Sequence, residues 1–147
     1  MHISVRCSAA IHCLIFINEY GRDKKVTSAN IAASSGVNPV TVRTILSALK
    51  KSGIITVKKG TGGARINADP KKVTLLNICL AVDPTFLDNL IGMHSPSPFC
   101  PVGKNMEKTL ALSYGKIKDD LKESLLSVTL ADVFKNFKNA EKTVDRA

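Results

Sequence analysis

Val40, Arg43, Thr44, Ser47 and Lys51 recur at helical spacing and form one polar stripe. Its chemistry is recognition. A guanidinium can chelate the edge of a guanine, hydroxyls can bond to base edges or phosphates, and a small apolar group fits a thymine methyl. A few residues on, Lys58, Lys59 and Arg65 flank Gly60-Thr61-Gly62-Gly63, where cations can rest on phosphates or enter a narrow minor groove. These glycines do not make a nucleotide loop. They lack a Gly-Lys-Ser/Thr ending and a dinucleotide fingerprint, and they precede a strand where a phosphate cradle would open a helix. With no Ser/His/Asp arrangement and no paired carboxylates, the residues give no support to enzymatic activity.

The elements that must position these side chains run from Thr27 to Ile66. Helical periodicity through Ile31, Ala32 and Ser35 stops at Gly36, and a second helix opens at Asn38 with Pro39 just inside, the preferred cap and first-turn residues. Ala32 permits close helix packing, while Val42, Ile45, Leu46 and Leu49 turn inward and leave the polar stripe outward. Gly53 ends this helix, Ile54 to Lys58 alternate as a strand, and the glycines supply the positive φ angles of a tight hairpin. The expected fold is mainly α with a small β-hairpin wing: a winged helix-turn-helix followed by a long C-terminal dimerisation helix.

Charge is segregated along the chain. Residues 1–72 carry twelve Lys and Arg against Glu19, Asp23 and Asp69, net +9, while residues 73–147 carry nine of each sign. The excess lies on the half with the motif, which points to a polyanionic partner and steeply salt-dependent binding through counterion release. A chain of 147 residues with 44% apolar content is long enough for one good core plus an appendage. No apolar run approaches the roughly 18 residues of a membrane span, and no secretion signal is read near Arg6, so a cytoplasmic address is expected.

Ile3, Cys7, Ala10, Ile11, Leu14 and Ile15 make an apolar stripe on a first helix that should pack beneath the helix-turn-helix. Arg6 lies off that stripe and can reach a phosphate. His2 and His12 read as surface or satisfied histidines. A short helix is expected over Thr74 to Leu80, after which Phe86, Leu87, Leu90 and Ile91 extend the core. Beyond Gly103, Met106, Leu110, Tyr114, Ile117, Leu121, Leu125 and Val128 follow three- and four-residue steps. A helix of about 22 residues spans roughly 33 Å, more than a small winged domain needs for its own core. A second chain should cover the stripe, giving a two-fold dimer with recognition helices in successive major grooves. Ser127 to Phe137 reads as a last short helix with a frayed tail after Asn139. The expected division is 1–82 DNA-binding domain, 83–103 linker or sensor loop, and 104–147 dimerisation and docking helices.

Cys7, Cys13, Cys79 and Cys100 form no Cys-x-x-Cys pair, zinc spacing or disulfide framework. The first three lie in apolar helical settings and read as small core residues. Cys100 follows Ser95-Pro96-Ser97-Pro98 near the start of the long helix, where unpaired amides favour a thiolate, so it is the candidate for redox or ligand sensing. His94 and Cys100 are too few for a closed metal site.

Taken in order, these pieces resemble the Rrf-two (Rrf2) family of bacterial winged-helix transcription regulators, which includes iron–sulfur-cluster and nitric-oxide-sensing repressors. The resemblance covers nearly the whole chain. It rests on Ile3-Ser4 with Ala10 and Leu14, Ile31-Ala32 to Gly36-Val37, Val42 to Leu49 with Lys51-Ser52-Gly53-Ile54-Ile55, Gly60-Thr61-Gly62-Gly63 with Arg65, Thr74 to Ile78, and Pro98 to Gly103. It implies a homodimer joined by the long helix, with DNA contacts at Asn38, Val40, Thr41 and Arg43 and at Lys59 and Arg65 around the wing. Two departures stand out. Cluster-binding members have three closely spaced cysteines where this chain has only Cys100, which argues against an iron–sulfur cluster. Ala64 replaces the aromatic residue common after the paired glycines, which bears on how the wing is anchored. The expected function is a dimeric, sequence-specific regulator of transcription, a repressor with an unknown effector. The alternatives are a winged helix that docks on protein or structured RNA, and a small thiol- or metal-dependent redox protein.

Overall fold

The computed structural model describes residues 3–60 and 62–145; His2 and Thr61 lie outside the described residues. Eight elements follow one another: α1 (Val5–Tyr20), α2 (Ser28–Ser35), α3 (Pro39–Lys51), β1 (Ile55–Lys58), β2 (Gly63–Ile66), α4 (Leu75–Val82), α5 (Pro101–Ser127) and α6 (Leu130–Val144). Helices α1 to α4 enclose the core, whose largest fully buried side chains include Leu14, Ile17, Ile31, Ile45, Leu49 and Ile78. Each such aliphatic side chain contributes about 1.5–3 kcal/mol through removal from water.

Local signals set the helix ends. Thr27, Thr74 and Thr129 each open a helix with a reciprocal capping box, closed by Asn30, Asn77 and Asp132 respectively. Asn38 caps α3 through its side-chain oxygen, which accepts from the Val40 amide at 2.8 Å, and Pro39 occupies the first turn. Gly36 ends α2 in the left-handed region at φ 68°, a conformation that favours glycine and turns the chain into α3.

The hairpin is antiparallel, pairing Ile55 with Ile66, Thr56 with Arg65, Val57 with Ala64 and Lys58 with Gly63. The expected alternation over Ile54 to Lys58 does not hold. Ile54 and Ile55 are both buried at the root of the wing, and Val57, farther out, is exposed because a two-stranded wing has no layer above it.

Other boundaries also move. Ser4 caps α1, so Ile3 precedes the helix and is exposed, while Ile11 and Ile15 are only half-buried. The buried face of α1 is Cys7, Ala9, Ala10, Cys13, Leu14 and Ile17. Helix α4 runs to Val82, two residues past the expected end, with Thr74 as its cap. Helix α5 begins at Pro101 and has 27 residues, about 40 Å at 1.5 Å per residue. Gly103 does not precede it but lies in its first turn, where a side chain would collide with the Ser97 carbonyl. Helix α6 starts at Leu130, after an extended Val128-Thr129, and continues to Val144 in place of fraying at Asn139.

The elbow between α5 and α6 is tied to the amino-terminal unit by backbone bonds. Leu75 N–H donates to the Val128 carbonyl at 2.9 Å, Leu130 N–H to Val73 at 2.8 Å, and Ala131 N–H to Pro70 at 3.0 Å. Farther along α6, Lys138 pairs with Glu19 of α1 and with Glu141, and these carboxylates raise the pKa of the Lys138 ammonium group. Among the described residues, no helix is long and apolar enough to cross a membrane.

Candidate nucleic-acid interface

Helix α3 packs against α1 and α2 through Val42, Ile45 and Leu49, which leaves Val40, Arg43, Thr44 and Ser47 on its open face. The wing is held beside that face by backbone contacts. Ala64 N–H donates to the Val26 carbonyl at 3.2 Å, and a Cβ on Gly63, at φ 64°, would fall 2.8 Å from the Val26 nitrogen. Only glycine fits so close an approach in the left-handed region. Ala64, which departs from the aromatic residue common in the family at this position, is buried against this contact, so the hairpin is seated by main chain.

Between α3, the start of α2 and the wing lies a cleft of about 420 Å³. Lys25, Arg43, Lys50, Lys58 and Lys59 line it, over apolar groups that include Leu46, Val57 and Ala64. Five cations around one concave surface concentrate positive potential, and the α2 start adds the partial positive charge of a helix N-terminus. Such a surface can hold consecutive phosphates while α3 lies along a groove.

The candidate residues divide around this cleft. Arg43, Lys58 and Lys59 meet there. Val40 is 61% exposed and open for an apolar contact, whereas Thr41 is half-buried. Two of the polar groups are partly committed within the helix: the Asn38 oxygen to its cap, and the Thr44 hydroxyl, which donates to the Val40 carbonyl at 3.1 Å. Arg65 does not join Lys59. It pairs across from Thr56 on the opposite face of the hairpin, where it lines a separate cleft of about 330 Å³ with Asn18, Gly21 and Arg22. Arg6 is exposed in the first turn of α1 and does not line the cleft. Lys25 and Lys50 were not among the candidate residues. The signal for Lys50 was present: Arg43, Ser47 and Lys50 follow four- and three-residue steps, and all three line the cleft.

Along α5, Leu125 is buried, Met106, Leu110, Tyr114 and Leu121 are half-buried, and Ile117 is exposed. Phe99 and Leu112, 95% and 87% exposed, stand near or on the same helix.

Cys100 is the N-cap of α5 and is exposed, and the amides of Gly103 and Val102 hold its thiol below the ordinary thiol range. The other three cysteines are buried in the core. Among the described residues, no three His, Cys, Asp or Glu side chains stand close enough to hold a metal ion. The thiols are thus split between an exposed helix start and the interior of the α1–α4 core, a donor set that does not fit an iron–sulfur cluster.

Two helices joined at a left-handed glycine, the second capped and open to solvent, with a cationic hairpin beside it, define a winged helix-turn-helix protein of the DNA-binding regulator class. The family model for Rrf2, described as Iron-dependent Transcriptional regulator, matches residues 3–136, and the chain belongs to this family. It is 36% identical over 132 residues to a Bacillus subtilis (strain 168) protein provisionally named HTH-type transcriptional regulator YwnA, covering 89% of this chain and 96% of the relative. A crystal structure of a provisionally named DNA-binding protein is similar at 34% identity and TM-score 0.69, covering 87% of this chain and 97% of that one. The structure of T. potens IscR aligns at TM-score 0.70 over 95% of this chain and 90% of its own, with 18% identity, a likeness of fold alone.

Proposed function

We propose that this protein is a homodimeric, sequence-specific transcriptional repressor that binds an inverted repeat in double-stranded DNA in the cytoplasm. The observation that carries the reading is the cleft where Arg43 of the recognition helix meets Lys58 and Lys59 of the wing. In this reading Arg43 reads a guanine edge, Val40 and Thr41 touch neighbouring bases, and Asn38 and Thr44 use the bonding capacity left over from α3. Lys25, Lys50, Lys58 and Lys59 hold phosphates and set affinity. Arg65, with Arg22, and Arg6 reach backbone beyond the cleft. Met106, Leu110, Tyr114, Ile117, Leu121 and Leu125 form the seam with a second chain, which covers the apolar surface left open on α5. Repression then requires only that the dimer occupy a promoter. Cys100, exposed and with its thiolate favoured, is where a redox or ligand signal would enter. The relatives are regulators, and no catalytic role is assigned to any residue.

The test is selection of sheared genomic DNA on the reduced protein at near-physiological salt, followed by sequencing of the bound pool. Enrichment of one short inverted repeat beside promoters is the expected result. A flat pool would contradict sequence-specific reading and favour a winged helix that docks on protein or RNA. Loss of oxidant-dependent binding in Cys100→Ser would support the sensing role, and unchanged dependence would remove it.

A further inference from the structure

Two clefts meet along the carboxy-terminal half of α1, outside the α3–wing cleft. One, of about 540 Å³, is lined by Phe16, Tyr20, Lys24, Lys25, Asn30 and Ala33. The other, of about 250 Å³, runs on to His12, Ser34 and Phe137 of α6. Phe16 and Tyr20 line both, so the two form one trough between α1 and α2 that α6 reaches at one end. The shared wall is aromatic, with ring centroids 4.8 Å apart and planes tilted by 53°. A pair four residues apart on a helix packs on itself. Even so, Phe16 is only half-buried and Tyr20 is 47% exposed, which leaves apolar ring surface open to the trough.

Charge is arranged along the trough. The Lys24 ammonium stands 6.0 Å from the Tyr20 ring centroid, and Lys25 shares the same rim. Toward α6, the Glu19 carboxylate is already paired with Lys138, and His12 Nε2 and Ser34 Oγ bond to each other at 2.9 Å. The unneutralised charge is therefore positive and lies at the Lys24–Lys25 end. Aromatic walls with two ammonium groups at one end fit a planar aromatic carboxylate, its ring on Phe16 and Tyr20 and its anion on the lysines.

Lys25 gives the site a consequence. It lines this trough and also the cleft with Arg43, Lys58 and Lys59. Its stem lies against the wing, where a Cβ on Gly63 would come 3.1 Å from Lys25 Cγ. One ammonium group thus serves two surfaces.

We propose that the trough is a binding site for a small planar aromatic carboxylate, and that its occupant draws Lys25 away from DNA. The coupling rests on the reading of Lys25 as a phosphate contact, whereas the site itself does not. Linkage makes the effect reciprocal, so bound DNA weakens the ligand to the same degree. This entry for a ligand is separate from Cys100.

The test is a titration of the nitrogen-labelled full-length protein with sodium cinnamate, followed by amide NMR. Shifts should saturate and cluster around Phe16, Tyr20, Lys24 and Ala33. Cinnamyl alcohol, which lacks the charge, and cyclohexanecarboxylate, which lacks the aromatic ring, should each bind about tenfold more weakly. Tyr20→Ala removes a wall and Ala33→Leu fills the cleft; both positions are exposed, so the fold should survive while binding falls by a similar factor. Saturating cinnamate should also weaken binding to a random duplex several-fold at matched sodium and flatten its logarithmic salt dependence by about one unit. Lys25→Gln should bind that duplex more weakly from the start and not respond to cinnamate. Shifts spread over the basic residues without saturation, or binding untouched by Tyr20→Ala and Ala33→Leu, would overturn the site. Shifts at the same amides on dilution, with none from cinnamate, would overturn it too and assign the trough to a second copy of the chain. Saturable binding with unchanged duplex affinity would overturn the coupling. A protein that takes up cinnamate but binds no duplex would contradict the DNA reading and the coupling with it, and leave the site standing.

Discussion

The helix-turn-helix and the long helix α5 bury their apolar stripes very differently. In α3, Val42, Ile45 and Leu49 are all fully buried, and a single chain completes the packing. In α5, a helix of 27 residues, Leu125 is the one buried residue, while Ile117 and Leu112 face solvent. Charge divides in the same place, with net +9 on residues 1–72 and none on residues 73–147. The first region is therefore finished as a fold and incomplete as a charge distribution, and the second is the reverse. In the proposed reading, DNA completes the first and a second copy of α5 completes the second.

The largest test of this contrast is Ile45→Ala in the shared core of the helix-turn-helix. Its expected cost is about 2–5 kcal/mol of unfolding free energy in urea titration. Ile117→Ala on the open stripe should leave the amino-terminal unit within about 0.5 kcal/mol but weaken self-association in sedimentation. Equal effects on folding would erase the distinction between the two regions.

The sharpest effect on recognition should come from Arg43→Ala, at about 1–3 kcal/mol of operator affinity with relaxed specificity at one position. Lys59→Ala should weaken operator and random duplexes alike and flatten the logarithmic salt dependence by about one unit. Arg65→Ala should act less than Lys59→Ala, because Arg65 lies across the hairpin from the cleft.

Much of this was legible because the decisive signals are local. Asn38-Pro39 announces the start of α3, Gly36 and Gly53 mark turns with positive φ, and the steps from Val42 to Leu49 separate core from surface. What escaped depends on neighbours. The strand pattern placed Arg65 with Lys59 in sequence, but the pleat puts it with Arg22, on the side where Ala64 is not. Lys25 reaches the cleft only because Gly63 and Ala64 dock on Val26. Gly103 read as a helix boundary, yet it lies inside α5, where its bareness admits the Ser97 carbonyl. The length of α6 was missed because its polar end lacks a strong apolar period.

The smallest expected effect concerns the elbow that joins the two regions. The Thr129 amide and hydroxyl hold the Asp132 carboxyl below the ordinary carboxylate range. Because its folded pKa is depressed, the cap stabilises α6 above the unfolded value and is lost as pH falls through the folded one. Asp132→Asn should remove that acid-sensitive part of the helicity measured by circular dichroism. An unchanged acid titration would show that the cap does not couple the elbow to protonation.

Hydroxyl-radical footprinting of the selected operator tests the proposed pair of reading heads on one dimer most directly. The expected footprint has two protected segments related by a two-fold axis, their centres a whole number of DNA turns apart, both lost in Arg43→Ala. A single protected segment, or even protection of operator and random duplex alike, would contradict it.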